Sequence, residues 1–120
     1  MKMQWLSALV LGALSCAAFA EEAPADSNLI KQGVYLARAG DCVACHTNGK
    51  AGKPFAGGLP METPIGTIYS TNITPDKEHG IGGYTFEEFD DAVRKGVRKD
   101  GSTLYPAMPY PSFARISEAD

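Results

Sequence analysis

Cys42-Val43-Ala44-Cys45-His46 decides how this chain is read, because two thiols three residues apart, followed at once by an imidazole, form the pattern at which a haem is attached through two thioethers. If these residues make about one helical turn, Cys42, Cys45 and His46 stand at i, i+3 and i+4 and share one helix face. Both sulfurs then reach one edge of a porphyrin while the imidazole faces its iron. Two other readings compete. A redox Cys-x-x-Cys requires alternating strands and helices around it and an activated thiolate, and no such pattern flanks Cys42. A zinc site would draw on Cys42, Cys45, His79 and a further ligand, but His46, bonded directly to Cys45, is badly placed to complete a tetrahedron.

Export fits haem attachment. Met1-Lys2-Met3-Gln4 carries one positive charge, Trp5 to Ala17 is an apolar run, and Ala18-Phe19-Ala20 is a small-x-small cleavage site. Residues 1–20 therefore read as a secretory signal peptide, 21–27 as a short linker and 28–120 as the domain. The apolar run falls short of the roughly 20 residues a spanning helix needs. Lipidation at Cys16 is a minor alternative, since Ala13-Leu14-Ser15 lacks the usual order of leucine and small residues. Cleavage after Ala20 removes Cys16, so the two cysteines left are those of the motif and no pair remains for a structural disulfide. It also removes Lys2, leaving 10 basic against 14 acidic residues, a net charge of −4. That balance argues against nucleic acid or an anionic membrane surface as partner.

About 100 residues suit one small domain, in which a large apolar cofactor would supply much of the core. Two helical stretches stand out. The first runs from about Asn28 to Ala39, with Ser27 or Asn28 as N-cap, an apolar face of Ile30, Gly33, Val34 and Ala37, and Gly40 as its stop. The second opens on Thr85-Phe86-Glu87-Glu88, a capping box, carries Phe89, Val93 and Val97, places Lys95, Arg98 and Lys99 in its last turn and ends at Gly101. Phe86 and Phe89 read as a pocket wall or as plain core. Between the helices, residues 49–84 are dense in Gly, Pro and Thr, with one extended candidate at Thr67 to Ile73. Tyr69, Ser70, Asn72 and Thr74 there offer hydrogen bonds either to haem propionates or to their own turns.

An electron carrier needs a sixth iron ligand, and after cleavage the chain offers Met61, Met108 and His79. Met108 sits in Tyr105-Pro106-Ala107-Met108-Pro109-Tyr110-Pro111, where three prolines stiffen the backbone and hold the thioether with little entropy left to lose. Met61 follows His46 by only 15 residues and reads as a core filler, and His79 reads as an exposed loop residue. A thioether opposite an imidazole raises the reduction potential and leaves a six-coordinate iron that passes electrons without binding substrate. The rival reading, a haem enzyme or gas-binding sensor with an open distal site, needs a distal acid–base residue, and nothing marks one.

The run Gly33-Val34-Tyr35-Leu36-Ala37-Arg38-Ala39-Gly40-Asp41-Cys42-Val43-Ala44-Cys45-His46 resembles the first haem domain of the cytochrome c subunits of bacterial membrane-bound alcohol, aldehyde and gluconate dehydrogenases. The likeness continues through Pro54 to Gly58, Thr67 to Asp76 and Leu104 to Tyr110. It implies an all-α, class I cytochrome c domain with helices joined by long loops around one covalent haem c. It further implies thioethers at Cys42 and Cys45, His46 as proximal ligand and Met108 as distal ligand. Such a module is not itself an enzyme. It relays electrons in the periplasm, attached to the inner membrane through its complex, between a dehydrogenase catalytic subunit and membrane quinone or another cytochrome. Those subunits are usually several times longer and carry three haem motifs. Ile116-Ser117-Glu118-Ala119-Asp120 resembles the start of a capped helix, so the resemblance leads us to expect a domain truncated before its C-terminal helix.

Overall fold

The computed structural model describes residues 26–120; the expected signal peptide, Cys16 and most of the expected linker lie outside the described residues. Helix α1 spans Ser27–Ala39, two residues longer at its start than its cap would be if Asn28 supplied it. Asp26 is the N-cap: its Oδ1 accepts the Asn28 N–H at 2.8 Å. Carboxylates suit this position because they both accept a free N–H and face the positive helix end.

At the other end Gly40 caps α1, as its place in the sequence predicts, and the chain turns at the next residue. Gly40 donates its N–H to the Leu36 carbonyl at 2.8 Å but stays right-handed, and Asp41, at φ +52°, makes the left-handed corner. Aspartate tolerates that region better than most residues because its short polar side chain bonds locally. Gly40 has another use: a methyl group placed on it would lie 3.5 Å from both Cys42 Sγ and Phe113 Cε1. Gly33 shows no matching constraint, for nothing described lies within 4 Å of its Cβ position.

The corner leads into α2, Cys42–Cys45, a single turn closed by the His46 N–H on the Cys42 carbonyl at 3.0 Å. Then the chain leaves the helical regime. Strands β1, Pro60–Thr63, and β2, Gly66–Tyr69, form an antiparallel hairpin with Met61 opposite Ile68 and Glu62 opposite Thr67. Alternation puts Met61 and Ile68 on the more covered face, as an apolar cross-strand pair. Met61 is half-buried in that pair. The hairpin qualifies the all-α expectation: helices supply most of the regular structure, and a two-stranded ribbon interrupts the long loop. Its extended segment ends at Tyr69, earlier than the predicted Ile73.

The second helical stretch begins as predicted and ends early. Helix α3, Phe86–Asp90, opens with a complete capping box: Thr85 Oγ1 accepts the Glu88 N–H at 3.2 Å and Glu88 Oε2 accepts the Thr85 N–H at 2.8 Å. A π-helical segment, Asp91–Lys95, continues it to Gly96. Gly96 takes φ +69° and stops the helix five residues before Gly101. The Val97 N–H closes this end on the Asp91 carbonyl at 3.0 Å. Arg98 and Lys99 consequently lie beyond the last turn, in a short loop whose Arg98 N–H reaches the Ser102 carbonyl at 2.8 Å. Glycine wins here because left-handed geometry costs it nothing.

Helix α4, Tyr110–Phe113, packs on the π segment, and Arg94 extends a hydrogen bond to the Ala114 carbonyl at 3.4 Å. At the chain end Ser117 donates to Asp120 at 2.7 Å, while Gln32 of α1 donates to the same carboxylate at 3.4 Å.

Candidate functional site

The site begins with the corner at Asp41. It leads into α2, whose single turn puts Cys42, Cys45 and His46 on one face. Both cysteines are free thiols, Cys42 half-buried and Cys45 exposed. Burial above all pushes the Cys42 thiol up from its ordinary value; a backbone hydrogen bond opposes this, and the charge of Asp41 adds to it. That direction is opposite to the lowered thiol that disulfide exchange favours. Zinc fares no better. His79 stands 72% exposed beside Asp76, and among the described residues no group of three His, Cys, Asp or Glu side chains is arranged to hold a metal ion.

His46 carries the decisive geometry. Its Nδ1 lies 2.7 Å from the Thr71 carbonyl oxygen. A carbonyl only accepts, so Nδ1 holds the proton, and Nε2 keeps its lone pair for a metal. This is how ligand imidazoles are oriented: a fixed partner on one nitrogen sets both the tautomer and the ring direction. Thr71 was invisible in the motif because a main-chain oxygen has no side-chain signature, and it lies 25 residues away.

Met108 is half-buried, in the loop before α4. Its carbonyl accepts the Tyr110 N–H at 2.9 Å. The Tyr110 ring lies against Gly96, whose Cβ would stand only 2.8 Å from ring atom Cε1. One turn later Phe113 reaches the α1–α2 corner beside Cys42. Helix α4 therefore ties the Met108 loop to the π segment at one end and to the cysteine motif at the other. Neither aromatic was predicted, since their roles depend on a contact with a distant glycine.

The remaining candidates take ordinary duties. Ser70 Oγ accepts the Leu59 N–H at 2.9 Å, and Asn72 Oδ1 accepts both the Thr74 N–H at 2.8 Å and the Thr74 hydroxyl at 2.7 Å. The Asn72 bonds are turn-forming bonds of the kind Asn favours, and the Ser70 bond joins two segments 11 residues apart. Asp90 pairs with Arg94, Asp91 with Lys95, and Glu88 with Lys99, so these three acidic residues serve a cap and ion pairs.

The residues fit a haem on donor chemistry and on packing. Two free thiols and a correctly protonated imidazole share one turn. Among the described residues no apolar side chain is fully buried: Ile30 and Val34 of α1 are 54% and 48% exposed, and Phe86 and Phe89 are 59% and 45% exposed. A chain of this size ordinarily closes such side chains over one another, and a large apolar ring bonded at α2 would give them something to close over. A cleft of about 480 Å³ between Lys53–Phe55 and Ile73–Asp76 contains none of the motif residues.

The chain matches no protein-family model. It is 65% identical over 98% of its length to the gluconate 2-dehydrogenase cytochrome c subunit of Pantoea cypripedii, covering 26% of that protein. It is 59% identical over its whole length to the cytochrome c subunit of the quinone alcohol dehydrogenase of Gluconobacter oxydans, covering 25% of it. With the fructose dehydrogenase cytochrome subunit of Gluconobacter japonicus it shares 57% identity over 76% of its length, or 19% of that relative. The chain thus spans about a quarter of the first two relatives.

Proposed function

We propose, from the chain's homology with the cytochrome c subunits of gluconate, alcohol and fructose dehydrogenases, that it is an electron-carrying module with one covalently attached haem c. Its relatives are the electron-transfer subunits of those complexes rather than the catalytic ones. In this reading Cys42 and Cys45 form the thioethers, His46 Nε2 is the proximal iron ligand and the Met108 thioether the distal one, within a class I cytochrome c domain. The module works in the periplasm, at the membrane face. There it takes electrons from a dehydrogenase catalytic subunit and passes them towards membrane quinone or another cytochrome. The observation that carries the reading is the His46 Nδ1 bond to the Thr71 carbonyl at 2.7 Å, which leaves Nε2 free beside two free thiols.

A haem bound here supplies one-electron chemistry at its iron. The chain's own residues hold it. The two sulfurs prevent its loss, the Thr71 carbonyl keeps the imidazole from rotating, and the proline-flanked Met108 loop limits the motion that a change of charge would otherwise cause.

The test is expression with a haem-attaching export system, followed by a haem-stained denaturing gel and ligand-binding spectra. Wild-type protein should stain, stay low-spin and bind carbon monoxide poorly, whereas Met108→Ala should bind it readily. A stained wild-type protein that binds carbon monoxide as fast as Met108→Ala would favour an open-site enzyme or sensor instead, and unstained protein would refute haem attachment.

A further inference from the structure

Gly57 lies where two segments that are distant in sequence come together. It is one of the two buried residues among those described, the other being Gly96. Its N–H donates to the His46 carbonyl at 2.8 Å, and the next residue, Gly58, donates to the Ser70 carbonyl at 2.8 Å. Gly57 itself sits at φ +70°, and a Cβ built there would stand 2.5 Å from both the carbon and the oxygen of the Thr71 carbonyl and 2.6 Å from the Ser70 oxygen. That Thr71 oxygen is the acceptor for His46 Nδ1. Gly57 therefore touches both ends of one hydrogen bond: it binds the backbone of the donor residue and leaves room for the acceptor.

Two other left-handed glycines lack this second property. Gly49 at φ +59° and Gly101 at φ +81° have nothing within 4 Å of a Cβ. They need glycine for the backbone angle alone. Gly57 needs it for space as well, and the space is filled by the carbonyl that orients the imidazole.

We infer that Gly57 is a positioning residue for His46, whose bare Cα sets how closely the Thr71 carbonyl approaches the ring and, through that bond, how basic the ring is as an iron ligand. The inference rests on His46 being the ligand proposed above. A short Nδ1–H···O bond makes the imidazole a stronger donor. A stronger donor favours ferric over ferrous iron, so lengthening the bond raises the reduction potential.

Redox titration of the haem-loaded chain tests this, with Gly57→Ala compared against Gly49→Ala, which imposes similar backbone strain without the clash. Gly57→Ala should shift the oxidised-to-reduced ratio at a fixed electrode potential threefold to tenfold towards the reduced form, tenfold being 59 mV for one electron. The His46 Nδ1 proton, followed by nuclear magnetic resonance, should exchange faster in the same variant. Gly49→Ala should change neither. Equal shifts in both variants, or none in Gly57→Ala, overturn the inference. If Gly57→Ala yields no haem-loaded protein, Ser70→Ala takes its place, because it removes the hydroxyl bond to the Leu59 N–H and adds no atom. It should move the potential the same way by less, and an unchanged potential there also overturns the role of Gly57. A wild-type chain without covalent haem, or with an iron not bound by imidazole, refutes instead the function proposed above.

Discussion

Gly96→Ala should damage the fold and the Met108 loop together, by an amount that the geometry allows one to work out. Gly96 sits at φ +69°, where an L-residue with a Cβ costs about 1–2 kcal/mol. The added methyl would also stand 2.8, 2.9 and 3.0 Å from three atoms of the Tyr110 ring, so the ring must move. Overpacking of this kind costs about 1–3 kcal/mol. The sum is about 2–5 kcal/mol. In a domain of roughly 100 residues each kcal/mol moves the melting temperature by about 4–8 °C, so a fall of at least about 8 °C is expected. Gly101→Ala is the control, because Gly101 is equally left-handed at φ +81° but has nothing within 4 Å of its Cβ position. It should lose only the backbone part, about 1–2 kcal/mol. Thermal unfolding of the haem-loaded chain, followed by circular dichroism, measures both. Because Tyr110 donates its N–H to the Met108 carbonyl at 2.9 Å, Gly96→Ala should also raise carbon monoxide binding, and Gly101→Ala should not. Equal melting losses in the two variants would refute the argument that the Tyr110 ring rests on Gly96.

Thr85→Ala should cost about 1 kcal/mol by removing the N-cap of α3, seen as a shift in the denaturant midpoint. The partner residue Glu88 makes the same cap sensitive to acid. Its carboxyl is held below the usual range first by the Thr85 N–H and then by Lys99, so its contribution is complete above about pH 4.3 and is lost as pH falls through the folded value. Glu88→Gln should accordingly flatten the stability profile between about pH 5 and pH 3, measured by urea titration at each pH; a profile as steep as wild type would count against this account. Replacing both Cys42 and Cys45 by serine should leave a chain without cooperative thermal unfolding by circular dichroism, because its described apolar side chains do not bury one another.

The geometry of the motif was legible because it is local. Cys42, Cys45 and His46 are neighbours in one turn, and helical periodicity alone places them on one face. The capping box at Thr85 and Glu88 was legible for the same reason, its partners being three residues apart. His79 was also placed correctly, in an exposed loop. Local signals misled where two of them competed for one boundary. Gly40 caps the end of α1 as read, but the left-handed turn beyond it falls to Asp41. Gly101 looked like the end of the second helix, yet Gly96 ends it, because the Tyr110 ring packs against Gly96 from 14 residues away.

By itself the sequence determined which atoms are available for chemistry: two thiols, an imidazole at the right spacing, and a methionine in a stiff proline-rich loop. Only the tertiary structure decided which nitrogen of His46 is free, because that depends on the Thr71 carbonyl, a main-chain atom 25 residues away. It also decided that Gly57 and Gly96 are the buried points on which the His46 and Met108 loops rest. A glycine does not reveal from sequence whether it serves a backbone angle or empty space. That distinction exists only once another segment has come to fill the space.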